Sequence, residues 1–119
     1  MIAMKKMLVL SMLSLLGGTA VFANEVANSQ SGGGMQTFDG TKPIYDSSEV
    51  EGGRGWWRRG HDGSRNISEY QDYSLQGHAS CENGNGTFSN GPWVPAYSWS
   101  KSSVGWTSLG GNKAYYNYR

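Results

Sequence analysis

Gly91-Pro92-Trp93-Val94-Pro95-Ala96-Tyr97-Ser98-Trp99-Ser100-Lys101, continued through Trp106 to Gly110-Gly111-Asn112-Lys113-Ala114-Tyr115-Tyr116-Asn117-Tyr118-Arg119, holds three of the chain's five tryptophans and four of its seven tyrosines. Trp93, Tyr97 and Trp99 in the first block, and Tyr116 and Tyr118 in the second, recur at even spacing, the two-residue side-chain period of a strand. Gly110-Gly111-Asn112 lies between these runs and reads as a hairpin connection. The stretch predicts an all-β domain whose aromatic core is Trp93, Tyr97, Trp99, Trp106, Tyr116 and Tyr118.

Upstream, Ile67 to Cys81 shows the same period. Tyr73, Leu75, Gly77, Ala79 and Cys81 fall on one side, and Asp72, Ser74, Gln76, His78 and Ser80 on the other, which predicts a half-buried strand with an apolar inner face. Asn83-Gly84-Asn85-Gly86 supplies a turn, and Thr87-Phe88-Ser89 opens the next strand. Earlier still, Trp56 and Trp57 predict a short strand ending in a turn through Gly60-His61-Asp62-Gly63. Adjacent strand residues face opposite sides, so one indole enters the core and the other stays outside among Arg54, Arg58 and Arg59.

The chain opens with Lys5 and Lys6, an apolar run from Met7 to Leu16, and small residues up to Val21-Phe22-Ala23. This is the signature of a secretory signal peptide over residues 1–23 cleaved near Ala23, and its apolar run is too short for a membrane span. Residues 24–51 contain Ser31-Gly32-Gly33-Gly34, few large apolar side chains, and five acidic residues against the single Lys42. That composition predicts a flexible acidic spacer or pro-segment, in which Ile44, Tyr45 and Val50 offer material for one short strand at most. Residues 52–119 form the expected folded domain, with seven basic residues against four acidic ones and no acid beyond Glu82. Small secreted domains often rely on disulfides, but Cys81 is the only cysteine, so aromatic packing, sheet hydrogen bonding or a second copy must hold this one.

The motifs argue against catalysis. His78 and Cys81 fall on opposite faces of the predicted strand, so they cannot form a thiol–imidazole pair. The chain has no Gly-x-Ser-x-Gly elbow, no phosphate loop and no cysteine pair for zinc, and its only histidines are His61 and His78. A non-enzymatic protein without cofactor, metal or nucleic-acid partner is therefore expected.

Gly52, Gly53, Gly55 and Trp56, the Ser68-x-Tyr70 segment followed by His78-x-Ser80, the Trp-Ser-Lys-Ser element from Trp99 to Ser102, and the terminal Gly-Asn-Lys-Ala-Tyr-Tyr-Asn-Tyr together resemble the lactococcin 972 family of bacteriocins. The likeness covers roughly Val50 to Arg119. It implies a small antiparallel β-sandwich of two sheets, secreted by a Gram-positive bacterium and acting as a homodimer on related strains. It also implies binding of the cell-wall precursor lipid II, a block of septum formation, and a producer immunity system built on a membrane protein and an ATP-driven transporter. The chain departs from the family pattern in the intervening segment 24–51, in its more acidic middle at Glu69 and Asp72, and in Cys81. On this reading Trp56, Arg58 and Arg59, with Lys101 and Lys113 as further positive groups, meet the precursor: cations on pyrophosphate, indole at the membrane interface. The other function open to the sequence is a secreted module that binds wall glycan or a cell surface through aromatic residues without killing.

Overall fold

Eight strands account for most of residues 30–119, the part of the chain described in the computed structural model. They are β1 (Gly32–Phe38), β2 (Tyr45–Glu49), β3 (Gly55–Asp62), β4 (Arg65–Asp72), β5 (Gly77–Glu82), β6 (Phe88–Asn90), β7 (Ser100–Gly105) and β8 (Asn112–Tyr118). All pairs are antiparallel, and they form two four-stranded sheets with orders β1-β8-β5-β6 and β2-β3-β4-β7. Residues 1–23, expected from the sequence to be a signal peptide, and residues 24–29 lie outside the described residues.

The period of two decides which side chains meet between the sheets. On β8, Asn112, Ala114, Tyr116 and Tyr118 are buried and Lys113, Tyr115 and Asn117 face outward. On β4, Asn66, Ser68, Tyr70 and Asp72 turn inward. Trp57 of β3 is buried and packs on Tyr116 with ring centroids 4.7 Å apart, while Tyr70 lies 4.8 Å from the same ring. Such pairs add roughly 0.5–1.5 kcal/mol each beyond the area they bury. Phe38, Ala79, Ala114 and Tyr118 complete the core, with Val50, Leu75 and Trp106 packed against it.

Several expectations change. Gly110 and Gly111 do take positive φ, 99° and 78°, but they do not close a hairpin: β7 belongs to one sheet and β8 to the other, so the loop crosses between sheets. Ile67–Cys81 is two strands, because residues 73–76 carry the chain from β4 to β5 across the same gap. Within β5 the predicted pairing of faces stands, with Gly77, Ala79 and Cys81 facing Tyr118, Tyr116 and Ala114, but the strand is not half-buried, because His78 and Ser80 on the other face are buried as well. Asp72, placed on the outer face by the pattern, is fully buried. The break after β4 resets the parity, so a register counted from β5 cannot be extended back through the loop.

The spacer reading of residues 24–51 also changes within its described part, since Gly32–Phe38 and Tyr45–Glu49 are edge strands. Gly32-Gly33-Gly34 reads as a linker by composition, yet each glycine answers a packing demand. A Cβ on Gly32 would stand 2.4 Å from the Tyr118 hydroxyl, one on Gly33 2.2 Å from the Tyr116 carbonyl, and one on Gly34 2.7 Å from the Tyr116 ring. β1 can lie on β8 only because those side chains are missing.

Of the six aromatics assigned to the core, Tyr116 and Tyr118 are buried there and Trp106 packs against it half-buried. Trp93, Tyr97 and Trp99 are outside it. They lie on the loop from β6 to β7, whose Pro92 and Pro95 prevent a regular strand, so their even spacing does not place them on one face. Tyr97 is 68% exposed.

Candidate functional site

The outer face of the β2-β3-β4-β7 sheet gathers the functional candidates. Trp56 and Arg58 of β3 point outward, as their burial against Trp57 requires, and Lys101 of β7 is exposed on the same face. Register sets Ser47, Arg58, Glu69 and Lys101 in one cross-strand row, and Glu49, Trp56 and Gln71 in the next. The Trp56 indole donates to Ser47 Oγ at 2.8 Å, which fixes the ring at the sheet surface.

Arg58 is held from two sides. Its Nε is buried and meets Glu69 Oε1 at 3.2 Å as an ion pair, without the direction of a hydrogen bond. Its guanidinium carbon sits 3.8 Å over the Trp99 ring. Four of the five arginines stack this way: Arg54 on Tyr118 at 3.5 Å, Arg119 on Trp93 at 4.0 Å and Arg59 on Trp57 at 4.5 Å complete the set. Strong cation–π pairs occur about once per 70–80 residues, so this density is a feature of how the described domain is built, with the Arg58–Trp99 pair on the candidate face. A guanidinium over an indole keeps its charge, and the Arg58 side chain remains 34% exposed; among the described residues its Nη atoms make no hydrogen bond.

Two of the five expected ligand residues are elsewhere. Arg59 shares the inner parity of Trp57 and sits at the edge of the core, where its Nε donates to Gln36 Oε1 at 2.8 Å and its Nη1 to Ser48 Oγ and the Trp57 carbonyl, each at 2.9 Å. Burial lowers its pKa, with Asp46 opposing. Its role is to bind β1 and β2 to β3. Lys113 faces outward on β8, in the other sheet, so it cannot share a ligand with Lys101 across the core.

The same end of the molecule contains a buried carboxylate. Asp72 Oδ1 accepts from Arg54 Nε at 3.0 Å and from the Tyr70 hydroxyl at 2.5 Å, and Oδ2 accepts from the amides of Leu75 at 2.7 Å and Ser74 at 3.2 Å. Burial alone would raise its pKa, but the bonds from Arg54, Tyr70, Leu75 and Ser74 together outweigh it and hold the carboxyl below its ordinary value. Burial and the Asp72 charge push the Tyr70 phenol well above its ordinary range. Asp72 thereby anchors the β4–β5 loop, and its carbonyl accepts from the Tyr97 amide at 2.7 Å, tying in the β6–β7 loop.

Sequence reasoning missed Trp99 as the platform under Arg58, and the pairing of Tyr73 with Tyr97. Pro92 and Pro95 were the available signal, since they exclude these aromatics from a continuous strand. His78 and Cys81 occupy opposite faces of β5, as expected; His78 stacks on Trp93 at 4.8 Å and Cys81 is buried. Among the described residues no group of His, Cys, Asp and Glu could hold a metal ion, and no helix is long and apolar enough to cross a membrane. Comparison of the chain with protein-family models, with characterised proteins and with solved structures returned no match. The functional reading therefore rests on the residues and on the geometry of an all-β fold of two antiparallel sheets.

Proposed function

We propose that this is a secreted, non-enzymatic antibacterial protein that binds a phosphate-bearing, lipid-linked wall precursor, lipid II in the family it resembles, and so blocks septum formation in related Gram-positive cells. The observation that carries the proposal is the Arg58 guanidinium, fixed by Trp99 and Glu69 on an exposed face that also presents Trp56 and Lys101. Guanidinium and ammonium groups meet phosphate oxygens, and a tryptophan on a sheet face suits the headgroup layer of a membrane. Glu69 between the two cations lowers their combined pull on free anions, so the ligand is one that brings contacts beyond phosphate. Action as a homodimer, and a transporter-based immunity system in the producer, belong to the same proposal.

The test is lipid II binding in detergent micelles, together with growth inhibition of related Gram-positive strains, for the secreted protein and its Arg58→Ala/Lys101→Ala variant. Each charge-assisted contact is worth roughly 1.5–3 kcal/mol, so binding should weaken about tenfold or more. Arg58→Ala also removes a half-buried ion pair and the contact with Trp99, so unfolding free energy should fall by about 1–2 kcal/mol while the fold is kept. Binding and inhibition that survive both changes would remove the proposal.

A further inference from the structure

We infer that the Tyr73–Tyr97 pair, at the end of this face, is a stacking platform for an uncharged sugar ring of a bacterial wall glycan. The inference deepens the proposed function by naming the part of the precursor that the aromatic end would hold, and it can fail separately from it.

The first observation is strain. Pro95-Ala96-Tyr97-Ser98 is a turn closed by the Ser98 amide donating to the Pro95 carbonyl at 3.1 Å, and Tyr97, its third residue, has φ 64°. That position of such a turn favours glycine or asparagine, and Tyr97 is the only non-glycine residue with positive φ among those described. A bulky side chain held there is not explained by packing, because Tyr97 is 68% exposed.

The second is pre-organisation. The Tyr97 amide donates to the Asp72 carbonyl at 2.7 Å, and the Gln71 side-chain amide donates to the Tyr97 carbonyl at 2.8 Å. The Tyr97 ring stacks on Tyr73 at 5.5 Å and 21°, and the Tyr73 amide is itself tied to the Arg54 carbonyl at 2.9 Å. An exposed aromatic held at backbone and ring has little freedom left to lose when a flat partner lands on it.

The third is charge. Arg54, whose carbonyl holds the Tyr73 amide, is bonded to Asp72, and Glu69 stands beside Arg58, so carboxylates offset both of these cations. A polyanion such as a single-stranded nucleic acid needs an unmatched positive groove beside its stacking residues. A neutral ring bearing hydroxyl and amide groups does not, and the phenols of Tyr73 and Tyr97 with the Gln71 amide and Ser98 hydroxyl offer both donors and acceptors.

The experiment titrates the secreted protein with a soluble N-acetylglucosamine oligosaccharide, followed by calorimetry and by intrinsic fluorescence, and repeats it with Tyr97→Gly, Tyr73→Leu and Leu109→Ala. Glycine relieves the turn, so Tyr97→Gly should melt at or above the parent temperature while binding the oligosaccharide about tenfold or more weakly. Tyr73→Leu should weaken it similarly, and Leu109→Ala, on the exposed β7–β8 loop, should leave it within about twofold, the ordinary spread for an uninvolved residue. Saturable binding lost in both tyrosine variants supports the platform. Absence of oligosaccharide binding by the parent overturns the inference while leaving lipid II binding intact as a separate result. A parent that is a dimer and a Tyr97→Gly variant that is a monomer, with no saccharide response in either, also overturns it and gives the platform to a second copy.

Discussion

The layer between the sheets has two unlike parts. Around Trp57, Tyr70, Tyr116 and Tyr118 it is aromatic and surrounds the Arg54–Asp72 pair, whereas around Asn66, Ser68, Ser100, Ser102 and Asn112 it is made of amides and hydroxyls. The first part is stabilised by buried area and one satisfied charge pair. The second is a set of side-chain bonds to the opposite backbone: Asn66 Nδ2 donates to the carbonyls of Glu82 and Lys113 at 3.0 Å each, and Ser68 Oγ to that of Tyr115 at 2.7 Å. Trp57 joins the two parts by donating its indole N–H to Ser68 Oγ at 2.9 Å. The difference teaches that a small domain with one unpaired cysteine can hold two sheets together by aromatic area on one side and by backbone-directed hydrogen bonds on the other. It also explains the position of the candidate site, because the aromatic part is the one whose anchors, Asp72 and Arg54, extend into the loops that carry Tyr73 and Tyr97.

The largest expected effect comes from removing the charge pair. Asp72→Ala leaves Arg54, the Tyr70 hydroxyl and two loop amides without their acceptor, and should cost about 3–5 kcal/mol by urea denaturation. Its pH dependence has a definite sign. Because the folded carboxyl titrates below its ordinary value of 3.8, its contribution is full above that value and is lost as pH falls through the lower folded pKa. The parent should weaken in that acid range, and the Asp72→Ala variant should lack this step; an identical acid profile would show that Asp72 is not what holds the aromatic part.

A smaller effect is expected in the polar part. Asn66→Leu withdraws two hydrogen bonds at similar volume and should cost about 1–3 kcal/mol, measured in the same denaturant series. If it cost as much as Asp72→Ala, the two parts would be equal supports and the contrast drawn between them would fail.

The smallest belongs to Cys81, whose thiol donates to the Asn66 carbonyl at 3.4 Å in the same polar part. Burial pushes its pKa up, so the folded protein should react with a thiol reagent only at the rate at which it opens. Cys81→Ala should cost about 1 kcal/mol, the net value of an ordinary hydrogen bond. Rapid labelling of the native protein would place the polar part in a locally open state and sharpen the contrast in dynamic terms.

Legibility followed local geometry. The split of Trp56 from Trp57, the alternation of β8, and the Asn83–Gly86 turn were readable because each depends on neighbours a few residues apart; the Asn83 side chain accepts from the amides of Asn85 and Thr87 at 3.0 Å each. Arg59 was misread because basic residues look alike in sequence, while its outer or inner side depends on parity with the buried Trp57. The Gly32-Gly33-Gly34 run was misread because its reason is the pair of tyrosine rings on β8, more than eighty residues away by number.

The sequence by itself determined an all-β chain, the alternation of faces along β8 and the Asn83–Gly86 turn, since a two-residue period and the turn chemistry of glycine and asparagine are properties of short segments. Only the tertiary structure decided which strands share a sheet, that the Gly110-Gly111 and 73–76 connections cross between sheets, that Asp72 is buried on Arg54, and that Trp99 and Tyr97 turn away from the core. The physical reason is that strand pairing and side-chain burial are settled by contacts between distant segments, which a local period constrains to a face but not to a partner.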